Sequence, residues 1–370
     1  MKKTVPILLL ITAALLLAIA GCERKVVVED GDQTALTSCF TCHDDQDMEL
    51  TAIELQWQRS VHASGNNSNR NRNYQSSYQA CERCHTAEGF IASLEGGDAS
   101  GEHFSPIHCF ACHAPHTNGN LSLRTTAPVT LSNSFVFDRG VGNACAVCHH
   151  GRRNVDTYVA DSVEVSSHWG PHYSQQGDML IGSNAYEYDG YTYGNSAHTN
   201  AAVDGCPMCH MAAPVGIYVG GHTFFTRFRD DFENLDFQDV NGCNVAACHN
   251  GEIEDFDRLA REDFDHDTEI EGVQTEIEGM LDSLRTLLIA GTLLDPGTSE
   301  PPDDRVVATA DSAGALFNFL FVEEDRSEGI HNTLYAVDLL QSSINFMATG
   351  SPSGMLAAKD DFRRTFASAH

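Results

Sequence analysis

Cysteine, two residues, cysteine and histidine recur five times: Cys39, Cys42 and His43; Cys81, Cys84 and His85; Cys109, Cys112 and His113; Cys145, Cys148 and His149; Cys206, Cys209 and His210. The chemistry follows from residue type and spacing. Two such thiols can add across the vinyl groups of a haem to form thioethers, the two-residue loop spans the ring edge, and the adjacent histidine falls under the iron as proximal ligand. Competing readings are weak. A zinc ribbon pairs two CxxC knuckles without requiring a histidine after each, and a redox CxxC occurs once, near a βαβ pattern.

A sixth stretch, CNVAACHNG, is irregular: Cys248 and His249 form the second half of a motif, but Cys243 sits two residues too far upstream. Of thirteen cysteines, ten belong to regular motifs and one, Cys22, to the N-terminal segment, so only Cys243 and Cys248 remain. A lone disulfide between them would leave His249 beside Cys248 by coincidence. A longer loop between two thioether cysteines needs only to bulge away from the ring. The adopted reading is a sixth haem site, with His249 proximal. Twelve histidines lie outside the motifs, against six distal positions, so every iron can be bis-histidine.

These motifs resemble those of exported multihaem c-type cytochromes. The tetrahaem cytochromes of sulfate reducers are similar in using four-residue spacers like that of the sixth site. The segment GPHYSQQGDMLIGSNAYEYDGYTYGNSAHT resembles extracellular multihaem cytochromes of metal-reducing bacteria, and FNFLFVEEDRSEGIHNTLYAVDLLQ resembles the C-terminal helices of such proteins, including the nitrite reductase superfamily. The likeness covers most of residues 39 to 350, although only the haem motifs are highly specific. It implies distal ligands at His62 and His198, which stand in Ser-x-His loops, at His116 and His222, which follow motifs, at His172 and at His331. His331 would cap a haem from a helix start where Asn332 suits the N-cap. His168, His103, His108 and His150 are alternates, and His266 and His370 read as solvated. In pentahaem nitrite reductases a lysine replaces the proximal histidine of the catalytic haem, and no motif here carries that change.

Before the motifs, Lys2 and Lys3 precede the apolar run VPILLLITAALLLAIA and then IAGC. The run is shorter than the ~20 residues needed to span a bilayer. It reads as a signal segment, and IAGC resembles the lipobox of bacterial lipoproteins, which implies a lipid on Cys22. The expected organisation is a signal peptide over 1–21, a lipidated tether over 22–38, a hexahaem cytochrome c domain over 39–250 and a C-terminal helical region over 251–370 that packs on the haem core. Residue 23 is glutamate, not the aspartate that retains many lipoproteins on the inner membrane, so the outer membrane or cell surface is preferred.

These elements must position the sites. Residues 39–249 are rich in Gly, Asn, Ser and aromatic residues with little sustained periodicity, which suits a core filled by haem. The run TLSNSFVF reads as a strand or an extended segment. Ile270, Val273, Ile277, Met280, Leu281, Leu284 and Leu288 recur at helical spacing and predict an amphipathic helix. Two further helical segments follow, in AGALFNFLFVEED and NTLYAVDLLQSSINF. The predicted fold class is mainly α plus irregular: a haem-packed core with few strands and a C-terminal helical hairpin. Asp263, Asp265 and Asp267 could gather calcium, but the segment lacks the glycine and twelfth-position glutamate of an EF-hand, so a solvated acidic turn is the preferred reading.

The net charge of −30 excludes nucleic acid as a partner, because phosphates need basic contacts. With histidines enough to ligate both faces of every iron, the chain reads as an electron-transfer protein more than as an enzyme. Its expected partners are other cytochromes, a quinol-linked donor, or an extracellular acceptor such as a metal oxide. Two alternatives stand beside it: a haem reductase of nitrite, hydroxylamine or a sulfur compound, and a subunit of a homopolymeric cytochrome filament.

Overall fold

The computed structural model describes residues 48–64, 79–99, 104–118, 120–230 and 235–353. The leader, Cys22, the tether and the first motif (Cys39, Cys42, His43) lie outside the described residues, as do His103 and His370. The chain divides into two units, Met1–Leu50 and Thr51–His370. In the first, residues 48–50 are described, as the start of a helix. The second holds the motifs from Cys81 onwards and the C-terminal helices.

Among the described residues the fold is mainly helical with few strands. The longer helices are α1 (Met48–Arg59), α2 (Ala87–Leu94), α3 (Val273–Ala290), α4 (Ala310–Asp325) and α5 (Thr333–Thr349). The strands are short: β1 (Val129–Thr130), β2 (Val136–Phe137), β3 (Val163–Val165), β4 (Arg227–Asp230), β5 (Leu235–Gln238) and β6 (Arg305–Val307). They form three antiparallel pairs, β1 with β2, β3 with β6, and β4 with β5. The run TLSNSFVF thus turns back from β1 into β2. The β3–β6 pair sets Val163 opposite Val307 and ties the motif-bearing part to the C-terminal region.

The largest hydrophobic cluster centres on the C-terminal helices and takes in Val155, Trp169 and Met179 of the motif-bearing part. Helix α5 packs against both α3 and α4, burying Ile277, Met280 and Leu284 of α3, Phe317 and Phe321 of α4, and Leu339 of α5. Helix α4 is buried almost all round from Ala313 to Val322, as a helix apolar on every face must be. The sequence supplies its start, where the Thr309 hydroxyl accepts from the Ser312 N–H.

The start of α3 differs from expectation. The helix begins at Val273, and Ile270 lies before it, about half exposed. The cause is a distant cap. The Asp257 carboxylate accepts from the backbone N–H groups of Gln274 (2.8 Å) and Thr275 (3.1 Å), satisfying first-turn donors from outside the helix. Glu276, wholly buried, holds the preceding acidic turn by accepting from the N–H groups of Phe264, Asp265 and Glu271 at 2.8–3.1 Å. In that turn the carboxylates of Asp263, Asp265 and Asp267 bring ligand atoms within 4.8 Å of one another, but they also accept backbone N–H bonds of the turn itself.

Candidate haem sites

The motif cysteines stand mostly on one-turn helices. Gln79–His85, Cys109–Cys112, Asn143–Ala146 and Pro207–His210 carry the second to fifth motifs, numbered here as sites two to five. A turn of helix places residues three apart on one side, which is what two thiols meeting one ring edge need. Each turn closes in the same way: the N–H groups of His113, His149 and His210 donate to the carbonyls of Cys109, Cys145 and Cys206, all at 2.9 Å.

The irregular sixth site reaches the same closure by another path. The His249 N–H donates to the Cys243 carbonyl at 3.0 Å despite the two added residues. The Cys248 N–H bonds to the Val245 carbonyl at 2.9 Å. The extra residues are absorbed in a turn, and the relation of first cysteine to histidine is kept. Cys243 and Cys248 are both free thiols, like the other eight cysteines of the described residues.

Five proximal histidines each face one distal candidate. The ring centroids are 6.3 Å apart for His85 and His172, 6.4 Å for His113 and His222, 6.2 Å for His149 and His62, 6.2 Å for His210 and His331, and 6.1 Å for His249 and His198. These separations suit a metal shared between the two rings. Two metal–imidazole bonds of about 2 Å each, plus the half-widths of two rings, separate centroids by roughly 6 Å. The donor set, two imidazoles and two thiols per site, is that of a covalently held, bis-histidine haem. His168 is not in such a pair, and the His150 Nδ1 instead lies 2.7 Å from the Ala146 carbonyl. His116 is exposed, its ring 5.5 Å from that of Phe110. The remaining proximal residue, His43, is outside the described residues.

Hydrogen bonds aim the rings. Nδ1 lies 2.6 Å from the Leu121 carbonyl in His113, 2.7 Å from that of Ile330 in His198, and 2.9 Å from that of Phe224 in His210. In His149 it lies 3.2 Å from Gln176 Oε1. An occupied Nδ1 fixes the tautomer and leaves Nε2 to bind metal. His172 differs, with its Nε2 3.2 Å from the Arg152 guanidinium.

Burial keeps most of these imidazoles neutral, the form that ligates. It pushes His62 down to about 4, with His149 adding to the effect, and His210 down to about 4, with His331 adding. His172 also falls to about 4, from burial first and then the Arg152 charge. Burial likewise lowers His85, His149, His222 and His249. His331 moves the other way. Burial presses it down, but the charge and hydrogen bond of Asp325 outweigh that and raise it.

Two local devices were not foreseen from the sequence. The first is the tripeptide from Ile330 to Asn332. The Ile330 carbonyl holds His198, and the wholly buried Asn332 side chain accepts from the Ser196 N–H (2.8 Å) and donates to Asn195 Oδ1 (2.6 Å). His331 and His198, the candidates opposite His210 and His249, are thus fastened to each other. Asn332 also caps α5, as expected, through the Tyr335 N–H. The second device is Phe224. Its ring lies 4.8 Å from His62 and 5.9 Å from His222, while its carbonyl holds His210. Just before it, Gly220 and Gly221 have φ of +74° and +51°, and a side chain on Gly221 would strike Gln56. Only glycine takes this path at no steric cost.

Sulfurs of different motifs also come near one another: Cys84 and Cys148, Cys145 and Cys206, and Cys209 and Cys243. Site four therefore neighbours sites two and five, and site five neighbours site six.

Repeated thioether motifs and opposed histidines define a class of protein: the chain resembles the multihaem c-type cytochromes, whose haem c is covalently bound. It is 23% identical to "C-type polyheme cytochrome OmcB" of Geobacter sulfurreducens, in each of two strains, over 78% of this chain and 47% of the relative. It is also 23% identical to "C-type polyheme cytochrome OmcC" of the same species, over 78% of this chain and 45% of the relative. The chain thus spans about half the length of these relatives. A solved structure, "Outer Cell Wall Cytochrome OcwA", aligns with 79% of this chain and 49% of its own at 21% identity and a TM-score of 0.48. No family model matches the chain.

Proposed function

We propose that the protein is an electron carrier holding six haems c, each ligated by two histidines. The observation that carries this reading is the set of five opposed histidine pairs at 6.1–6.4 Å, each joining one motif histidine to one distant histidine. His172 serves site two, His222 site three, His62 site four, His331 site five and His198 site six. His116 is left for His43 at site one. Each bound haem supplies one reversible electron between ferric and ferrous iron. Two histidines per site would hold the iron of a bound haem and would leave no coordination place for a substrate, which speaks against the reductase alternative. Burial and hydrogen bonds set each potential through the ligands. The neighbouring sulfurs of these motifs support a row running from site two through sites four and five to site six.

In this reading a lipid on Cys22 holds the protein at the outer membrane or cell surface. Among the described residues no helix is long and apolar enough to cross a membrane. Donors and acceptors are other cytochromes, a quinol-linked donor or an extracellular acceptor, and the −30 charge favours partners with a basic docking face. Intact-mass measurement of the mature protein tests the count. Six haem additions are expected, and five would remove Cys243, Cys248 and His249 from the proposal. A ferric spectrum with a high-spin component that responds to added nitrite or cyanide would overturn the closed coordination.

A further inference from the structure

In site five a buried carboxylate grips one of the two histidine rings. The Nδ1 of His331 lies 2.8 and 3.0 Å from the two carboxylate oxygens of Asp325. The Asp325 side chain is 1% exposed. The Ser327 hydroxyl fixes it further, bonding to the Asp325 carboxylate while accepting from the His331 N–H at 3.2 Å. The partners given above for the Nδ1 atoms of His113, His149, His198 and His210 are uncharged oxygens.

Asp325 is also the last residue of α4, where the helix dipole already presents its negative end. A buried carboxylate there is unfavourable unless positive charge lies near it. The ring it grips is the one that faces His210 across 6.2 Å.

We propose that Asp325 is a positioning and tuning residue that makes site five the lowest-potential station among sites two to six. This rests on the reading that His331 ligates the site-five iron. The carboxylate takes hydrogen-bond density from Nδ1–H, which strengthens Nε2 as a donor to iron. Its charge, in a low-dielectric setting, stabilises the ferric form over the ferrous. Both effects act in the same direction. Site five neighbours site four at Cys206 and Cys145, and site six at Cys209 and Cys243. The low-potential station therefore stands inside the row, and an electron crossing it climbs before it descends. The carboxylate thus sets the pace of transfer between the two ends without touching either partner.

The test is Asp325→Asn in the haem-loaded protein, followed by spectroelectrochemical titration and electron paramagnetic resonance. Asparagine keeps an acceptor for Nδ1–H and removes the charge. One haem, the lowest in potential, should move upward, its oxidised-to-reduced ratio at fixed potential falling about tenfold, equivalent to about 59 mV for one electron. One low-spin signal should change its g-values while the others hold. A D325N protein that stays fully low-spin with its lowest potential unmoved overturns the proposal. His331→Ala separates this from failure of the ligation reading. One haem should turn high-spin there, and an unchanged low-spin spectrum would overturn ligation by His331 and the tuning with it.

Discussion

Asp178 shows how a single buried carboxylate can serve the sites without touching one. It accepts from the N–H of Gly151, two residues after His149, and from Asn184 Nδ2 at 3.0 Å. Burial raises it from 3.8 to about 6, against the pull of those hydrogen bonds. The folded protein therefore binds this proton more tightly than the unfolded chain does. Its contribution to stability is complete below pH 3.8 and is lost as pH rises through about 6. Denaturant unfolding between pH 4 and 7 should show that decline, and Asp178→Asn should flatten it. An equal slope in the variant would remove Asp178 from the account. At this scale the sequence speaks for residues whose chemistry is local: the motif cysteines and the histidines beside them. It does not for Asp325 and Asp178, because one acid among 52 carries no mark of the histidine or backbone N–H that folding brings to it.

At the scale of elements, the turn before α5 does the work of a fastener. Asn332 makes its N-cap bond and also donates to the Met179 carbonyl and Thr199 Oγ1, both at 3.2 Å. Asn332→Ala would leave several buried polar groups unpaired. The expected loss is about 2–3 kcal/mol of stability, read by denaturant unfolding. The low-spin signals of sites five and six should broaden together, because Ser196, His198, Ile330 and His331 are held in one network. Disturbance of one site alone would show that the fastening does not couple them. The sequence marked α4 by its apolar run and α5 by its apolar run and the Asn332 cap. It misplaced the start of α3, because the cap came from Asp257, outside the helical pattern. It also left TLSNSFVF undecided, since a two-residue strand has too little alternation to announce itself.

For the molecule as a whole, charge is the property that a partner meets first. With 52 acids against 22 basic residues, the surface potential should draw cationic donors and slow anionic ones. Rates of reduction by a cationic small-molecule donor should fall as ionic strength rises from about 10 mM to 150 mM, where the screening length shortens from about 30 to 8 Å. Rates with an anionic donor should rise. Stopped-flow absorbance of the haem bands measures both, and rates indifferent to salt would detach the charge from docking.

The amino-acid sequence by itself determined that the chain attaches haem and how many sites to seek, because a thioether bond is made by residues a few positions apart. It also supplied a surplus of histidines. Which histidine opposes which was decided only by tertiary structure: His62 meets His149 across two intervening motifs, and His331 meets His210 from the start of α5. The physical reason is that each pair joins segments far apart in the chain, and no periodicity in the chain encodes two surfaces that meet only after folding. The irregular CNVAACH loop lies between these cases. Its residues pointed to a sixth site, and the fold supplied the closure from His249 to Cys243 that gives the longer spacer the same geometry as the others.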